Sequence, residues 1–301
     1  MKLREWVASL LALLLAVLAA WMAGTVWAPA HAEMLERIRQ RGVLVVGVKR
    51  DVPLWGSVDP RTGQLVGLEP DLAADLAGRL GVRLELVGLL SAERLDAIER
   101  RRVDLLLATL SDTPERRERL TMVMPHYYAS GVNILARRQS AFRDWPDLRN
   151  RRVCGRRGAF YNRSITVSAG VDVVALYDNS LSVAALREGR CDALLYEDTS
   201  IVAMLQDPAW SRDFEMPLPT LFVTPWAIGI HRDDAGSRLE TFLSRAVIAW
   251  HRQGVVADLE RKWGIPVTAF SARMSTAWRK RTGQGYLCGD AVTRDTPKEC
   301  L

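Results

Sequence analysis

The chain of 301 residues carries 41 basic and 35 acidic side chains, which gives a formal net charge of +6 at pH 7. Acidic residues are interleaved with the basic ones. No nucleic-acid-binding signature accompanies the densest basic runs, at 100–102 and 116–117, which argues against a nucleic-acid partner. The histidines and cysteines do not have the spacing of a metal site, so no metal or cofactor is expected.

Residues 1–32 have the composition of a secretory signal. Lys2 and Arg4 precede an apolar run at 7–20, and an alanine-histidine-alanine triplet ends at Ala32. We expect cleavage after this alanine and a mature protein in the periplasm. An uncleaved N-terminal membrane anchor is the alternative, because apolar residues continue almost far enough to span a bilayer.

Predicted helices and strands alternate through the first half of the mature chain. In order they are a helix at 34–41, a strand at 43–48, a hairpin-like passage turning at 59–63, a helix at 70–80, a strand at 82–87, a helix beginning near Ser91 and a buried strand at 103–108. This alternation predicts a largely parallel sheet.

The polar stretch after the last of these strands has the features of an anion site. Thr109 and Ser111 lie at the strand's carboxyl end, where open α/β sheets bind ligands. Pro114 is expected to begin the next helix, which places Arg116 in its first turn. A guanidinium and free helix amides both favour a carboxylate. The same residues also suit an ordinary capped helix start, and taken alone the stretch favours that interpretation.

A second series of strands and helices follows. Its predicted elements are an extended passage at 127–137, a strand at 152–155, a helix from about Asn162, a strand at 171–176, a helix at 181–187, a strand at 192–196, an extended run at 221–230 and one helical region at 237–263. Beyond Pro266 we expect a polar tail that is draped over the surface or partly mobile.

Four cysteines in an exported chain indicate disulfides. Pairing by proximity joins Cys154 to Cys191 and Cys288 to Cys300. The sequence leaves all three connectivities open.

Three motifs occur in one order along the mature chain. They are Gly67-Leu68-Glu69-Pro70-Asp71-Leu72-Ala73-Ala74-Asp75-Leu76-Ala77, the polar stretch at 109–116, and Gly189-Arg190-Cys191-Asp192-Ala193 followed by Glu197 and Asp198. Together they resemble the periplasmic amino-acid-binding proteins of ABC importers, the family 3 extracellular solute-binding proteins, over about residues 34–266.

The resemblance implies an α/β fold of two lobes, a Venus-flytrap, with a mostly parallel sheet and flanking helices in each lobe. Two crossing strands, near 130–132 and 225–227, would join them. The implied boundaries are a signal peptide at 1–32, lobe 1 at 33–130 and 228–266, lobe 2 at 131–227 and a tail at 267–301. The implied function is that of a monomer that captures an amino acid and delivers it to a membrane ABC permease.

The resemblance also implies roles for individual residues. Arg116 would clamp the ligand's α-carboxylate beside Thr109 and Ser111, with backbone amides lent by Gly158. Glu197 or Asp198 would take the α-ammonium, and the other acid would face solvent.

Further positions are similar to binders of acidic amino acids, which favours glutamate or aspartate as the ligand. These positions are Lys49, Ser91, Arg94 and Asn179. The alternative is that Lys49 and Arg94 are solvated or paired with Asp51 and Glu93. Ala159 and Phe160 depart from the family, which has hydroxyl residues there, so a non-standard carboxylate stays open and Phe160 could pack on an apolar ligand body. Arg156 and Arg157, just before this turn, keep an anionic ligand open.

Two other classes remain as alternatives. Some relatives of this fold are dehydratases of cyclic carboxylic acids, in which Glu197 could act as the acid or base. We disfavour this class because the candidate acids already have an ammonium to bind and no cleft histidine or cysteine offers a second catalytic group. The third class is a binding module for a non-amino-acid carboxylate that serves as a sensor or accessory protein.

Overall fold

The computed structural model describes residues 33–283 and 285–301. The predicted signal peptide and its cleavage site therefore lie outside the described residues. None of the helices in the described part of the chain is long and apolar enough to cross a bilayer.

The first series of elements closely follows the predicted order. It comprises α1 (Met34–Arg41), β1 (Val43–Lys49), β2 (Asp51–Val52), β3 (Gly56–Val58), β4 (Leu65–Val66), α2 (Leu68–Leu80), β5 (Arg83–Leu89), α3 (Arg94–Glu99), β6 (Leu105–Leu107) and α4 (Pro114–Arg117). Strand β1 pairs in parallel with β5 and β6, as the alternation of strands and helices predicts.

The second series begins with a long strand. It comprises β7 (Leu120–Arg137), β8 (Val153–Arg156), α5 (Tyr161–Ala169), β9 (Val173–Leu176), α6 (Asn179–Arg187), β10 (Ala193–Glu197), α7 (Asp198–Met204), α8 (Pro208–Ser211), β11 (Phe214–Glu215) and β12 (Leu221–His231). Strand β8 pairs in parallel with β9 and β10.

Strands β7 and β12 join the two groups of parallel strands into one nine-stranded sheet. They pair with each other in antiparallel fashion from Leu120 opposite His231 to Val132 opposite Leu221. Strand β12 also pairs with β6 of the first group, and β7 pairs with β10 of the second. The two-lobed α/β fold is therefore confirmed. The extended passage was predicted to start at residue 127. Strand β7 starts seven residues earlier, because the chain already pairs with β12 from Leu120 onward.

Each lobe has its own apolar core. In lobe 1, Trp55 and Tyr128 pack against Trp226 of the crossing strand β12, with ring centroids 6.3 and 5.1 Å from it. In lobe 2, Ile165 of α5 and Leu195 of β10 belong to one buried cluster. Full burial of a leucine or isoleucine contributes about 1.5–3 kcal/mol, so both clusters stabilise the fold.

The C-terminal region differs from the prediction in two ways. The helical region at 237–263 is two helices, α9 (Arg238–Gln253) and α10 (Val255–Lys262), because Gly254 has a left-handed φ of 78° that ends the first. The tail is not loosely draped. Its helix α11 (Ala269–Arg279) packs on α9, and the fully buried Trp278 donates its indole N–H to the Cys300 carbonyl at 3.1 Å. A short hairpin, β13 (Arg281–Thr282) and β14 (Gly285–Tyr286), follows.

Both disulfides join the cysteines paired by proximity in the sequence. Cys154 on β8 bonds to Cys191, just before β10 and 37 residues later. Cys288 bonds to Cys300 and closes the tail against α11. The pairing by proximity is confirmed.

Candidate functional site

Five polar residues predicted or flagged from the sequence converge where strands end. Lys49 ends β1, Arg156 ends β8 and Glu197 ends β10, while Ser91 and Thr109 closely follow β5 and β6. Because the carboxyl ends of parallel strands share one edge of a sheet, each lobe presents its polar residues at one edge. The two edges face each other across a cleft.

Lys49 is completely buried at the lobe 1 edge. Its Nζ lies 2.7 Å from an oxygen of Asp51 and donates to Ser91 Oγ at 2.9 Å. The pairing with Asp51 that the sequence left open is therefore present. Burial lowers the pKa of Lys49 to about 7, although the charge of Asp51 acts against this shift. Lys49 therefore changes its charge near neutral pH.

Arg94 is buried without a carboxylate partner. Its Nη1 donates to the backbone carbonyls of Ala108 and Thr109, at 2.7 and 2.8 Å. Glu93, the alternative partner, lies 3.5 Å from Arg50 instead. Among the described residues no carboxylate approaches the Arg94 guanidinium within salt-bridge distance. Burial lowers its pKa to about 9, which still leaves it charged at neutral pH.

The polar stretch at 109–116 forms the capped helix start considered from the sequence. Pro114 begins α4, and Thr113 caps it by accepting the Arg116 backbone N–H at 3.4 Å. The Arg116 side chain is buried, and its Nη1 donates to the Ser111 carbonyl at 2.7 Å. Burial lowers the pKa of Arg116 to about 10. Like Arg94, it has no carboxylate partner in the described part of the chain.

Thr109 has a strained backbone that Glu69 holds in place. Its φ of 47° is left-handed, which is uncommon for a β-branched residue. Its N–H and the Tyr127 hydroxyl both donate to Glu69 Oε1 at 2.6 Å. The Thr109 hydroxyl is buried with no partner among the described residues. Burial raises the pKa of Glu69 to about 7. The sequence placed Glu69 in a family motif but did not predict this contact.

Lobe 2 contributes a buried ion pair. Arg156 donates to Glu197 through both terminal nitrogens, with the Nη1–Oε2 contact at 2.7 Å. It also donates to Ser91 Oγ at 2.9 Å and to Asn179 Oδ1 at 3.3 Å. Burial would raise the pKa of Glu197, but the charge and hydrogen bonds of Arg156 hold it below its ordinary value. The sequence noted Arg156 only as a basic residue that suits an anionic ligand.

The two lobes touch at the cleft. Asn179 donates its backbone N–H and its side-chain amide to Asp51, at 3.1 and 3.0 Å. Arg94 Nη2 lies 3.4 Å from the Gly158 carbonyl oxygen. A Cβ atom on Gly158 would come within 2.6 Å of the Ala92 nitrogen. The structure is therefore a closed arrangement, in which glycine permits the closest approach.

Asp198 lies apart from this cluster. Its Oδ1 accepts from the Ser130 hydroxyl at 2.7 Å and from the Gly131 N–H at 2.8 Å, on the crossing strand β7. Of the two acids predicted from the sequence, only Glu197 lies among the cleft cations.

Ala159 and Phe160 are half-buried and pack against the lobe 2 core. The Phe160 ring centroid also lies 5.9 Å from the Arg116 guanidinium, across the cleft. An aromatic ring thus lies over the Arg116 cation.

A cavity of about 520 Å³ opens beside the cluster, between lobe 1 and helices α6 and α7. Asp51 and Asn179 are part of its wall, which is mostly apolar, and the buried hydroxyls of Tyr196 and Ser200 have no partner among the described residues. Its lining does not include the four cations, but Asp51 and Asn179 of its wall contact Lys49 and Arg156.

The cleft therefore has an excess of buried positive charge. Lys49, Arg94, Arg116 and Arg156 outnumber Asp51 and Glu197, and Glu69 is close to its titration point at neutral pH. Guanidinium groups match carboxylates with two parallel hydrogen bonds. The arrangement can bind a small anion, and no cluster of potential metal ligands occurs in the described ranges.

Comparison with known proteins agrees with this geometry. Residues 44–266 match the model of the bacterial extracellular solute-binding proteins, family 3. The glutamine-binding protein of Geobacillus stearothermophilus is 28% identical over 201 residues, which is 65% of this chain and 75% of the relative. The L-cystine-binding protein TcyJ of Escherichia coli K12 is 25% identical over 78% of this chain and 88% of its own.

Solved structures share the fold. The cysteine-binding protein of Campylobacter jejuni superposes with a TM-score of 0.73 at 24% identity, over 80% of this chain and 98% of its own. The ancestral amino-acid-binding protein AncCDT-1, described as a precursor of cyclohexadienyl dehydratase, superposes with a TM-score of 0.68 at 21% identity, over 77% of this chain and 99% of its own. At these identities the likeness shows the fold alone.

Proposed function

Because the chain belongs to the family 3 bacterial extracellular solute-binding proteins, we propose that it captures a small carboxylate in the periplasm and delivers it to a membrane ABC permease. It does so as a monomer. Within this class of ligand, glutamate and aspartate are the candidates that the sequence favours, and the relatives named for glutamine and L-cystine support an amino acid or a close analogue.

The observation that carries this proposal is the state of Arg94 and Arg116. Both guanidiniums are buried and both donate to backbone carbonyls, with no carboxylate among their described contacts. Burying a charge without a compensating charge is costly. An incoming carboxylate compensates that cost in the bound state, which favours binding of an anion over a neutral solute.

The cleft also couples binding to closure. A ligand shifts the equilibrium between open and closed lobes only through its difference in affinity for the two states. Lobe 1 supplies Arg94 and Arg116, and lobe 2 brings Arg156 and Asn179 onto Ser91 and Asp51. An anion held between these groups has its full set of contacts in the closed state alone, which is the form that a permease must recognise.

A thermal-shift screen of the mature protein tests the proposal, since a ligand that binds only the folded state raises the melting temperature. We expect shifts with small acidic carboxylates, including glutamate, aspartate or their analogues, and none with neutral or basic amino acids. Arg116→Ala should abolish the shift. Its neighbour Arg117, half-exposed and paired with Asp112, is the matched control, and Arg117→Ala should keep it. A shift with neutral or cyclic ligands and none with acidic ones would contradict the proposal.

The dehydratase alternative rests on Glu197 and on the shared fold of AncCDT-1. Glu197 is a poor candidate for proton transfer because Arg156 occupies both of its oxygens and keeps it ionised. We therefore propose binding without turnover. Conversion of prephenate or arogenate by the purified protein would overturn this choice.

A further inference from the structure

An α-amino acid brings an ammonium group into the cleft as well as its carboxylates. A buried ammonium needs an acceptor that carries negative charge, because losing its water without one is costly. Within the cleft, the carboxylates near these cations are those of Asp51, Glu69 and Glu197. The other acids near Arg116 are Asp112, which pairs with Arg117 and His126, and the exposed Glu115. To be bound in the cleft, the ligand ammonium needs a carboxylate oxygen that can accept a further hydrogen bond.

The three carboxylates are already engaged within the protein. Both oxygens of Glu197 accept from Arg156. One Asp51 oxygen lies 2.7 Å from Lys49 Nζ and the other accepts from the Asn179 N–H. Glu69 Oε1 accepts from Thr109 and Tyr127.

Besides Asp51 Oδ1, which faces Lys49 Nζ, one oxygen has no hydrogen-bond partner in the described part of the chain: the buried Glu69 Oε2. It belongs to a side chain with no exposed surface, and Lys49 and Arg94 are its charged neighbours. An ammonium placed there would stand beside two existing cations inside lobe 1. This oxygen is therefore a poor acceptor for a ligand cation.

The charges lead to the same conclusion. Three arginines face two acids that remain ionised, Asp51 and Glu197, while Lys49 and Glu69 both have a pKa of about 7. Arg94 and Arg116 have no carboxylate partner among the described residues, and a dicarboxylate supplies one carboxylate to each. Zwitterionic glutamate supplies the same two carboxylates but adds an ammonium beside these cations.

We propose that the preferred ligand is an aliphatic dicarboxylate without an ammonium group, and that Arg156 sets this preference by occupying Glu197. The inference rests on the proposed function and specifies the substrate class of the same site. Hydroxyl substituents on the ligand are compatible with it, because they add no charge and Thr109 offers an unpartnered hydroxyl.

Calorimetric titration of the wild-type protein with two matched pairs tests the inference. Glutarate and L-glutamate differ only in the ammonium group, as do succinate and L-aspartate. We expect the better dicarboxylate to bind at least about tenfold more tightly than its amino-acid counterpart. If the amino acid of each pair binds as tightly or more tightly, the inference is wrong and the proposed function stands. If none of the four ligands binds, both the inference and the proposed function are wrong.

Arg156→Gln then tests the role of the arginine. The shorter neutral side chain frees Glu197, so affinity for L-glutamate should rise and affinity for glutarate should fall. Arg157→Gln is the control, because Arg157 is adjacent but exposed, and it should keep the wild-type preference. An unchanged preference in Arg156→Gln would overturn the assignment of Arg156.

A double variant covers the case in which Arg156→Gln does not fold. Arg156→Gln with Glu197→Gln removes both charges of the buried pair and leaves amides that can bond to each other. We expect it to bind glutarate more weakly and to gain no affinity for L-glutamate. A gain for L-glutamate would show that a freed Glu197 is not what admits the ammonium, which overturns the inference.

Discussion

The two faces of the cleft carry arginines in opposite circumstances. On lobe 1, Arg94 and Arg116 donate to backbone carbonyls and keep a surplus of positive charge. On lobe 2, Arg156 is neutralised by Glu197 within the same lobe. An ion pair inside one lobe contributes to that lobe's stability, whereas an unpaired cation is available to a ligand. Under the proposed function, lobe 1 would therefore attract the anion and lobe 2 would close over it.

The largest expected effect comes from breaking the pair on lobe 2. Glu197→Ala leaves the Arg156 charge buried without a partner, so we expect the unliganded protein to lose about 3–5 kcal/mol of unfolding free energy. Arg116→Ala removes one hydrogen bond to a carbonyl and also removes repulsion from Arg156, so its cost should be about 1 kcal/mol or less. Urea denaturation without ligand measures both.

Glu188→Ala is the control for the loss of an acid from lobe 2. Glu188 is exposed and pairs with Arg190 at the surface, so the unfolding free energy should change by no more than about 1 kcal/mol. If Arg116→Ala destabilises the unliganded protein as much as Glu197→Ala, the contrast between the two faces does not hold.

The approach of the two faces can be tested next, at two glycines of lobe 2. Gly158 and Gly189 have similar left-handed φ values, 74° and 71°. A side chain on either costs about 1–2 kcal/mol of backbone strain. Only at Gly158 would a Cβ meet lobe 1, at the Ala92 nitrogen, while Gly189 has open space around it.

We therefore expect Gly158→Ala and Gly189→Ala to destabilise the protein similarly but to differ in ligand binding. Gly158→Ala should weaken binding by at least about tenfold, because the closed state becomes less accessible. Gly189→Ala should bind as the wild type does. Calorimetry and thermal denaturation of both variants give the comparison, and equal affinities would argue against closure at Gly158.

Local signals in the sequence predicted much of the fold. Thr113 and Pro114 correctly marked the start of α4, because capping depends on residues that are adjacent in the chain. The tail was predicted wrongly, because its docking depends on a buried tryptophan and a carbonyl 22 residues apart. Polar composition alone did not reveal the apolar face of α11.

The candidate site was predicted in its residue types but not in its pairings. Lys49 and Arg94 could be named because they match positions of acidic-amino-acid binders, and Glu197 because it follows the family motif at 189–193. The contact of Glu69 with Thr109 and that of Arg156 with Glu197 join residues 40 and 41 positions apart. Which acid neutralises which cation depends on how strand ends meet in space, and no local pattern encodes it.

The smallest expected effect is the pH dependence of binding on the lobe 1 face. Lys49 and Glu69 both have a pKa shifted by burial to about 7, downward for the lysine and upward for the acid. As pH rises from about 6 to about 8, Lys49 loses positive charge and Glu69 gains negative charge, while simple carboxylates stay ionised throughout. Both changes weaken the binding of an anionic ligand, so its affinity should fall by about tenfold or less over this pH range.

Two substitutions can separate the contributions of these groups in titrations at several pH values. Glu69→Gln keeps an oxygen that accepts from Thr109 and Tyr127 but removes the acid. The fall in ligand affinity with rising pH should therefore become smaller. Lys49→Arg keeps the positive charge beside Asp51 across this pH range, because arginine does not lose its proton. It should reduce the fall in affinity with rising pH more than Glu69→Gln does. Affinity that rises with pH in the wild type would contradict the placement of the anion beside Lys49. Arg156 and Glu197 stay charged across the range, so a pH dependence that persists when Glu69→Gln and Lys49→Arg are combined would have to come from outside both faces of the cleft.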